Sequence, residues 1–89
     1  MKERELERIL KALANKRRLA IIKLLKKKGE KTVGDIAEEI KLSFTATSKH
    51  LGVLYATNIV EKEQRSLQMF YKLLPQLHHV AKYISNSIE

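Results

Sequence analysis

The sequence predicts one small, mainly α-helical domain in the order α-α-α-α-β-β-α. Three observations lead to this order. Apolar residues recur with the period of a helix, between good capping residues, as far as residue 57. From residue 59, short β-branched and aromatic runs replace that period. A last apolar stripe follows Pro75, and a chain of 89 residues has room for a single domain, residues 1–89.

The first two helices are predicted from the spacing of their apolar residues and from their ends. The first covers about residues 3–14, and its apolar side chains recur at i, i+3, i+4 and i+7: Leu6, Ile9, Leu10 and Leu13. Asn15 is a favourable N-cap for the second helix, Lys16 to Lys28. Gly29 after a lysine-rich last turn indicates where that helix ends.

The third and fourth helices are predicted from capping residues on either side of a short break. Thr32 followed by Asp35 has the form of a capping box, which opens a third helix that runs to about Lys41. Ser43 is the predicted N-cap of the fourth helix, residues 44–57. Asn58 suits the left-handed residue that ends it, because asparagine tolerates that conformation better than most residues.

A β-hairpin and a fifth helix complete the predicted domain. The hairpin strands are residues 59–63 and 67–73, and its loop is residues 64–66. Pro75 is predicted to open the last helix, about residues 75–88, because proline loses no hydrogen bond in the first turn. The apolar stripe of this helix consists of Leu77, Val80, Ala81, Ile84 and Ile88.

Charge and composition limit the classes of function. Residues 1–31 hold 12 basic and four acidic side chains, whereas residues 32–89 hold six of each. This localised positive charge predicts a polyanionic partner, nucleic acid before an anionic membrane. The absence of cysteine excludes disulfides, thiolate metal sites and cysteine nucleophiles. The charged N-terminal segment and the short apolar runs argue against a signal peptide or membrane span, so we expect a cytoplasmic protein.

The fourth helix has two distinct faces. At about 100° per residue, Thr47, Leu51 and Leu54 share a core stripe, and Phe44 lies near enough to be predicted in the core, with contact to a thymine methyl group of DNA as the alternative. We expect the Thr47 hydroxyl to bond back to the preceding turn. Thr45, Ser48 and Lys49 lie on the opposite side. Small hydroxyls with one cation suit a helix that enters the DNA major groove, where Lys49 can contact guanine or phosphate.

The order and spacing of several motifs resemble the ArsR-type (ArsR/SmtB) winged helix-turn-helix transcriptional regulators. The matching segments are residues 13–25, 33–37, 42–43, Ser48-Lys49-His50-Leu51, Leu54, residues 59–60 and Phe70-Tyr71-Lys72-Leu73. The resemblance implies a helix-turn-helix at about residues 33–57, a wing at residues 59–73, and dimerisation through about residues 3–14 and 75–88. It also implies a dimer that binds an inverted-repeat operator, as a repressor that an inducer releases. Neither the inducer nor the operator can be inferred from the sequence.

The residues and the resemblance together predict two sets of contacts. The predicted DNA-binding residues, on the fourth helix and the wing, are Ser43, Thr45, Ser48, Lys49, His50, Gln64 and Arg65. The apolar stripes of the first and last helices are too much surface for so short a chain to cover, which favours a homodimer. The predicted interface residues are Leu6, Ile9, Leu10, Leu13, Leu77, Val80, Ala81, Ile84 and Ile88.

The metal sites found in ArsR-type regulators are not expected in this chain. Metal-sensing members carry Cys-x-Cys where this sequence has Thr32 and Gly34. His78 and His79 lie near a second family site, but adjacent helical residues point about 100° apart and cannot easily share one ion. We therefore predict no metal and no cofactor. The wing departs from the family too, because Ser66 stands where a glycine is usual.

Two other classes of function remain as alternatives to a sequence-specific repressor of double-stranded DNA. One is a winged helix that binds another protein, although its recognition face would then be apolar or acidic. The other is a protein that binds DNA or anionic membranes without specificity through its basic second helix. An enzyme is not expected, because the sequence offers no paired carboxylates, Ser–His–acid set or glycine-rich phosphate loop.

Overall fold

A computed structural model describes residues 1–88 and contains the five helices and the hairpin in the predicted order. A short strand, β1, is added before the third helix and was not predicted. The helices are α1 (Glu3–Leu13), α2 (Lys16–Lys28), α3 (Val33–Ile40), α4 (Phe44–Ala56) and α5 (His79–Ser87). The strands are β1 (Lys31–Thr32), β2 (Val60–Arg65) and β3 (Gln68–Leu73). Within residues 1–88, no helix is long and apolar enough to span a membrane.

The three predicted N-caps of α2, α3 and α4 are confirmed. The Asn15 side chain accepts hydrogen bonds from the backbone N–H groups of Arg17 and Arg18, at 2.9 and 3.1 Å. Thr32 Oγ1 accepts from the N–H of Asp35 at 3.2 Å, and Ser43 Oγ accepts from the N–H of Ala46 at 3.1 Å. Each cap satisfies N–H groups that have no partner within the first turn of a helix.

Left-handed residues end two helices and set the angle at which the next segment leaves. Asn58 has φ of 59°, as predicted, and follows α4. Lys41 has φ of 57° and ψ of 50° and separates α3 from α4. The N–H of the next residue, Leu42, donates to Ala37 O at 3.0 Å, which closes the end of α3. This tight break holds α3 and α4 as a helix-turn-helix.

The sheet has the strand order β1-β3-β2, and both pairs are antiparallel. The predicted loop of residues 64–66 is wrong, because Gln64 and Arg65 pair with β3 and the turn is Ser66–Leu67. Only the first turn residue, Ser66, has a positive φ, as in a type II′ turn. Such a turn needs only two residues between the strands, so β2 runs two residues further than predicted, to Arg65, and β3 begins one residue later, at Gln68.

The core lies between α2, the helix-turn-helix and the base of the sheet. Its fully buried apolar side chains are Ile21, Ile22, Ile36, Leu51, Leu54, Ile59 and Val60. Thr47 is buried with them, and its Oγ1 donates to Ser43 O at 2.8 Å, so the predicted back-bond is confirmed. The core stripe of α4 therefore faces inward, and this orientation fixes which α4 residues face outward.

The predicted start of the last helix is wrong. Pro75 lies in an irregular segment, and α5 begins at His79. The cause is a side-chain cap that the usual preferences do not include: His78 Nδ1 accepts from the N–H of Val80 at 3.2 Å. Leu77 is consequently outside the helix, although it still packs against the core.

The predicted dimer stripes are partly used inside one chain. Ile9, Leu13 and Ala81 are buried in the core of the monomer. They were predicted to face a partner, but α1 and α5 pack against each other and against α2 and cover them. The exposed apolar residues of these helices are Leu10, at 47% exposure, and Tyr83, at 72%. Leu6, Val80, Ile84 and Ile88 are half-buried.

Candidate nucleic-acid interface

The outward face of α4 presents short polar side chains around one cation. Thr45 and Lys49 are exposed, and Ser48 is half-buried between them. Thr47, Leu51 and Leu54 anchor the opposite side of the helix in the core. The face therefore stands on a rigid support, as expected for side chains that must meet base edges in a fixed register.

The N-terminus of α4 is free of negative side chains. Its first turn holds no acidic residue, and its cap is the neutral Ser43, which is exposed. The positive end of the helix dipole is therefore not neutralised locally, and an anion such as a phosphate group is favoured there. Of the predicted residues, Ser43 is the cap of α4, and Thr45 and Ser48 lie in its first two turns.

Phe44, the first residue of α4, is 61% exposed, so its predicted place in the core is wrong. The helical angle placed it near the core stripe, but it is the first residue of α4 and the core does not cover its side chain. It lines a shallow depression of about 290 Å³ together with Gly34 and Met69. Leu67 in the wing turn lines the same depression and is 96% exposed.

His50 is held by Arg18 of α2. Arg18 Nη1 lies 3.1 Å from His50 Nδ1, and because arginine only donates, the imidazole is the acceptor. The other guanidinium nitrogens of Arg18 donate to the C-terminal carbonyls of α1: Nε to Ala12 O at 2.6 Å and Nη2 to Lys11 O at 3.1 Å. Arg18 therefore connects α1, α2 and α4, a role that the sequence did not indicate.

The environment of His50 favours its neutral form. Burial lowers the pKa of the imidazole below its ordinary value of 6.5, and the positive charges of Arg18 and Arg17 lower the pKa further. A neutral ring that accepts at Nδ1 carries its proton on Nε2. The Nε2–H group is the part of His50 that remains for the predicted contact with DNA.

Arg65 is paired with two carboxylates at the end of β2. Its guanidinium forms two hydrogen bonds to Glu30, at 2.7 and 2.8 Å, and two to Glu63, both at 3.1 Å. It also lies over the Phe70 ring, with Cζ 4.7 Å from the centroid. The Arg65 side chain lowers the pKa of Glu63, chiefly through its hydrogen bonds. Arg65 was predicted in the hairpin loop of residues 64–66, and the structure instead places it at the end of β2, in an ion-pair cluster.

Several other polar side chains of the wing also have contacts within the chain. Lys62 Nζ lies 4.3 Å from the centroid of the Tyr55 ring on α4. Lys72 forms an ion pair with Glu61 at 3.2 Å. Gln64 is exposed, and its side-chain amide donates to Ser66 O at 3.5 Å. Lys49 on α4, by contrast, has no ion-pair partner among the residues that the structure describes.

The two adjacent histidines do not form part of a larger ligand cluster within residues 1–88. No group of three or more His, Asp or Glu side chains in this range could hold a metal ion. The His78 and His79 ring centroids are 5.7 Å apart with the rings at 70°, and His78 Nδ1 is used in the α5 cap.

Comparisons with known proteins match the chain to one group of regulators. A family model described as "Bacterial regulatory protein, arsR family" matches residues 15–62. The transcriptional activator HlyU of Vibrio cholerae is 37% identical over 65 residues, which are 73% of this chain but only 59% of HlyU. The arsenical resistance operon repressor of Bacillus subtilis is 33% identical over 70 residues, 79% of this chain and 67% of the repressor.

A solved structure supports the same match across most of the fold. The Mb0332 DNA-binding domain from Mycobacterium bovis is described as a homodimeric winged helix-turn-helix and a possible ArsR-family regulator. It has a TM-score of 0.78 and 29% identity to this chain, and the match covers 92% of this chain and 72% of that one.

Proposed function

The chain belongs to the arsR family of bacterial regulatory proteins, and from this premise we propose that it is a transcriptional repressor that binds an inverted-repeat operator as a homodimer. One observation carries the proposal. The outward face of α4 carries exposed Thr45 and Lys49 opposite a buried stripe, at a helix N-terminus without acidic residues. This arrangement suits a recognition helix in the major groove. As bacterial DNA is cytoplasmic, we place the protein there.

The proposed DNA contacts divide between base edges and backbone. Thr45, Ser48 and Lys49 contact base edges, and Ser43 with the first N–H groups of α4 contacts phosphate. His50 adds its Nε2–H at the margin of this face. Gln64 and Arg65 contact the sugar–phosphate backbone from the wing. For Arg65, that contact competes with the carboxylates of Glu30 and Glu63.

The proposed dimer uses the apolar surface that remains on α1 and α5. Leu10 and Tyr83 are exposed. Leu6 and Ile84, which belong to the predicted apolar stripes of the two helices, are half-buried. The homodimeric description of the Mb0332 domain supports a dimer. A two-fold dimer presents two copies of α4, so that each operator half-site is read by one copy.

Selection of bound duplexes from a random pool tests the proposal. We expect enrichment of an inverted repeat, because a two-fold dimer selects a two-fold site. A promoter that overlaps the repeat should then be less active in a reporter strain that expresses the protein. Enrichment of no sequence would contradict the proposal and favour a protein-binding or non-specific winged helix.

The Leu10→Glu variant tests the dimer. Leu10 is exposed in the monomer, so the variant should fold, while a charge buried without a partner should oppose association. Sedimentation should show a dimer for the unmodified chain and a monomer for the variant, with loss of operator binding. Leu67→Glu introduces the same change in the wing and should remain dimeric. A dimeric Leu10→Glu variant would place the interface elsewhere.

A further inference from the structure

We propose that Phe44 reads thymine, by contact of its ring with the 5-methyl group in the major groove. This inference rests on the proposed DNA-binding function and adds a specificity residue to it. Phe44 is the first residue of α4 and is 61% exposed, although the helix has a buried stripe available for apolar side chains. Single exposed apolar residues are common on protein surfaces, so the exposure of Phe44 alone does not indicate a function.

Phe44 lies in the part of α4 that is proposed to approach the base edges. It lies between Ser43, whose side chain caps α4, and Thr45, which is exposed on the outward face. The N-terminal residues of a recognition helix are those that approach base edges. Ser48 lies one helical turn after Phe44, on the same side of α4. Phe44 therefore lies at the edge of the polar face, between that face and the core stripe.

The chemistry of the major groove leaves one suitable partner for this ring. The base edges in the groove carry hydrogen-bond donors and acceptors, and the thymine methyl is the apolar group among them. Phe44 has no hydrogen-bonding atom with which to distinguish the other bases. Its ring therefore favours a T·A pair through apolar contact, and adjacent Thr45 and Ser48 supply polar contacts to neighbouring positions.

The exposed Leu67 lines the same depression but belongs to the wing turn. The wing is proposed to follow the backbone, where no base methyl is present, so Leu67 should not distinguish thymine. This difference makes Leu67 a matched control, because it is a large, exposed apolar residue that lines the same depression. A protein partner for the whole depression would depend on both residues.

The experiment replaces thymine with deoxyuridine, which removes only the 5-methyl group. Each thymine of the selected duplex is replaced in turn, and binding to the full chain is measured for each duplex. At one position per half-site, we expect affinity to fall about fourfold, as for the loss of one buried methyl contact. Phe44→Ala should reduce this thymine-to-uracil ratio to about one, whereas Leu67→Ala should preserve it.

The outcomes separate this inference from the proposed function. If no duplex is selected, the proposed function fails. If a duplex is selected but no deoxyuridine substitution weakens binding, or if Phe44→Ala leaves the ratio unchanged, the protein binds DNA and the role of Phe44 is wrong. Phe44→Ala and Leu67→Ala could also lose DNA binding equally while both keep the thymine-to-uracil ratio. That result would likewise overturn the thymine-reading role of Phe44 and favour an apolar contact that both residues share. Circular dichroism of both variants confirms that they fold.

Discussion

The proposed recognition helix, α4, and the wing hold their positive charges in different ways. Lys49 on α4 is exposed, without an ion-pair partner in the part of the chain that the structure describes. In the wing, Arg65 is paired with Glu30 and Glu63, Lys72 with Glu61, and Lys62 lies over Tyr55. The charge of α4 is thus available to DNA, while the charges of the wing are largely satisfied within the chain.

Because of this difference, we expect α4 and the wing to contribute differently to DNA binding. We expect a cation that has no ion-pair partner, on a rigid helix, to gain a new contact when DNA binds, and so to contribute to both affinity and base choice. A cation already paired with carboxylates must exchange one anion for another, and the net gain is small. We therefore expect specificity to depend on α4, and the wing to add a weak contribution that depends little on sequence.

The largest expected effect is that of Lys49→Ala. On the selected duplex, we expect a loss of about 1–3 kcal/mol in binding free energy, with a smaller loss on scrambled DNA, because a base contact is removed. Binding isotherms on both duplexes measure the specificity ratio. Lys82→Ala on α5 is the control for charge alone. A specificity ratio that does not change in Lys49→Ala would show that the outward face of α4 is not the reading face.

Sequence reasoning succeeded where the determining interactions are local. The caps by Asn15, Thr32 and Ser43 join residues two or three positions apart, and the Thr47 back-bond spans four. Such contacts depend on residue type and spacing, which the sequence shows directly. For the same reason, the orientation of α4 and hence the polar outward face at Thr45 and Lys49 could be predicted.

Sequence reasoning failed mostly where distant residues decide the outcome; the exceptions are the start of α5 and the hairpin turn, where His78 and Ser66 act locally but are not the residues usual at those positions. Arg65 is held by Glu30, 35 positions away, and Arg18 contacts His50 across 32 positions. The two-residue strand β1 exists only because β3 lies beside it. Periodicity also could not show that the Phe44 side chain lies outside the core, or that α1 and α5 bury Ile9, Leu13 and Ala81 within one chain.

Acidification should weaken the Arg18–His50 contact that helps to hold α4, the proposed recognition helix, in place. The lowered pKa of His50 means that the unfolded chain binds its proton more readily than the folded chain. The stability that depends on neutral His50 is therefore complete above about pH 6.5, the ordinary value, and falls as the pH drops below it. The protonated ring would also face the Arg18 guanidinium, as two donors without an acceptor.

Urea unfolding at pH 7.5 and about pH 5.5 measures this decline. In His50→Gln, the amide oxygen can still accept from Arg18 and does not titrate, so the decline should be smaller than in the unmodified chain. His79→Gln, an exposed change on α5, is the control and should retain the full decline. Equal pH dependence in His50→Gln and the unmodified chain would rule out His50 as its source.

A smaller effect is expected at the break between the two helices. Lys41 adopts the left-handed conformation, which costs a residue with a Cβ roughly 1–2 kcal/mol, whereas glycine loses about 0.5–1 kcal/mol of backbone entropy. Lys41→Gly should therefore stabilise the fold by up to about 1 kcal/mol. Lys41→Ala removes the same charge and retains the Cβ, so thermal melts should show no gain. Equal melting temperatures for the two variants would contradict a cost at this position.

The smallest expected effect tests the pairing of the wing cation. Glu63→Gln removes one of the two carboxylates that hold Arg65 and leaves the two contacts to Glu30. With its guanidinium less neutralised, Arg65 should bind phosphate better. Affinity for all duplexes should rise about two- to threefold, and the salt dependence should steepen by less than about one unit per subunit.

Glu61→Gln separates the release of Arg65 from a general change in charge. Glu61 is on the same strand and pairs with Lys72, so its loss changes the net charge of the wing by the same amount without touching Arg65. Binding isotherms at several salt concentrations should show a larger gain for Glu63→Gln than for Glu61→Gln, and Arg65→Ala should abolish that difference. Equal gains in the two variants would mean that the wing acts through net charge alone, and the distinction between a free and a paired cation would not extend to DNA binding.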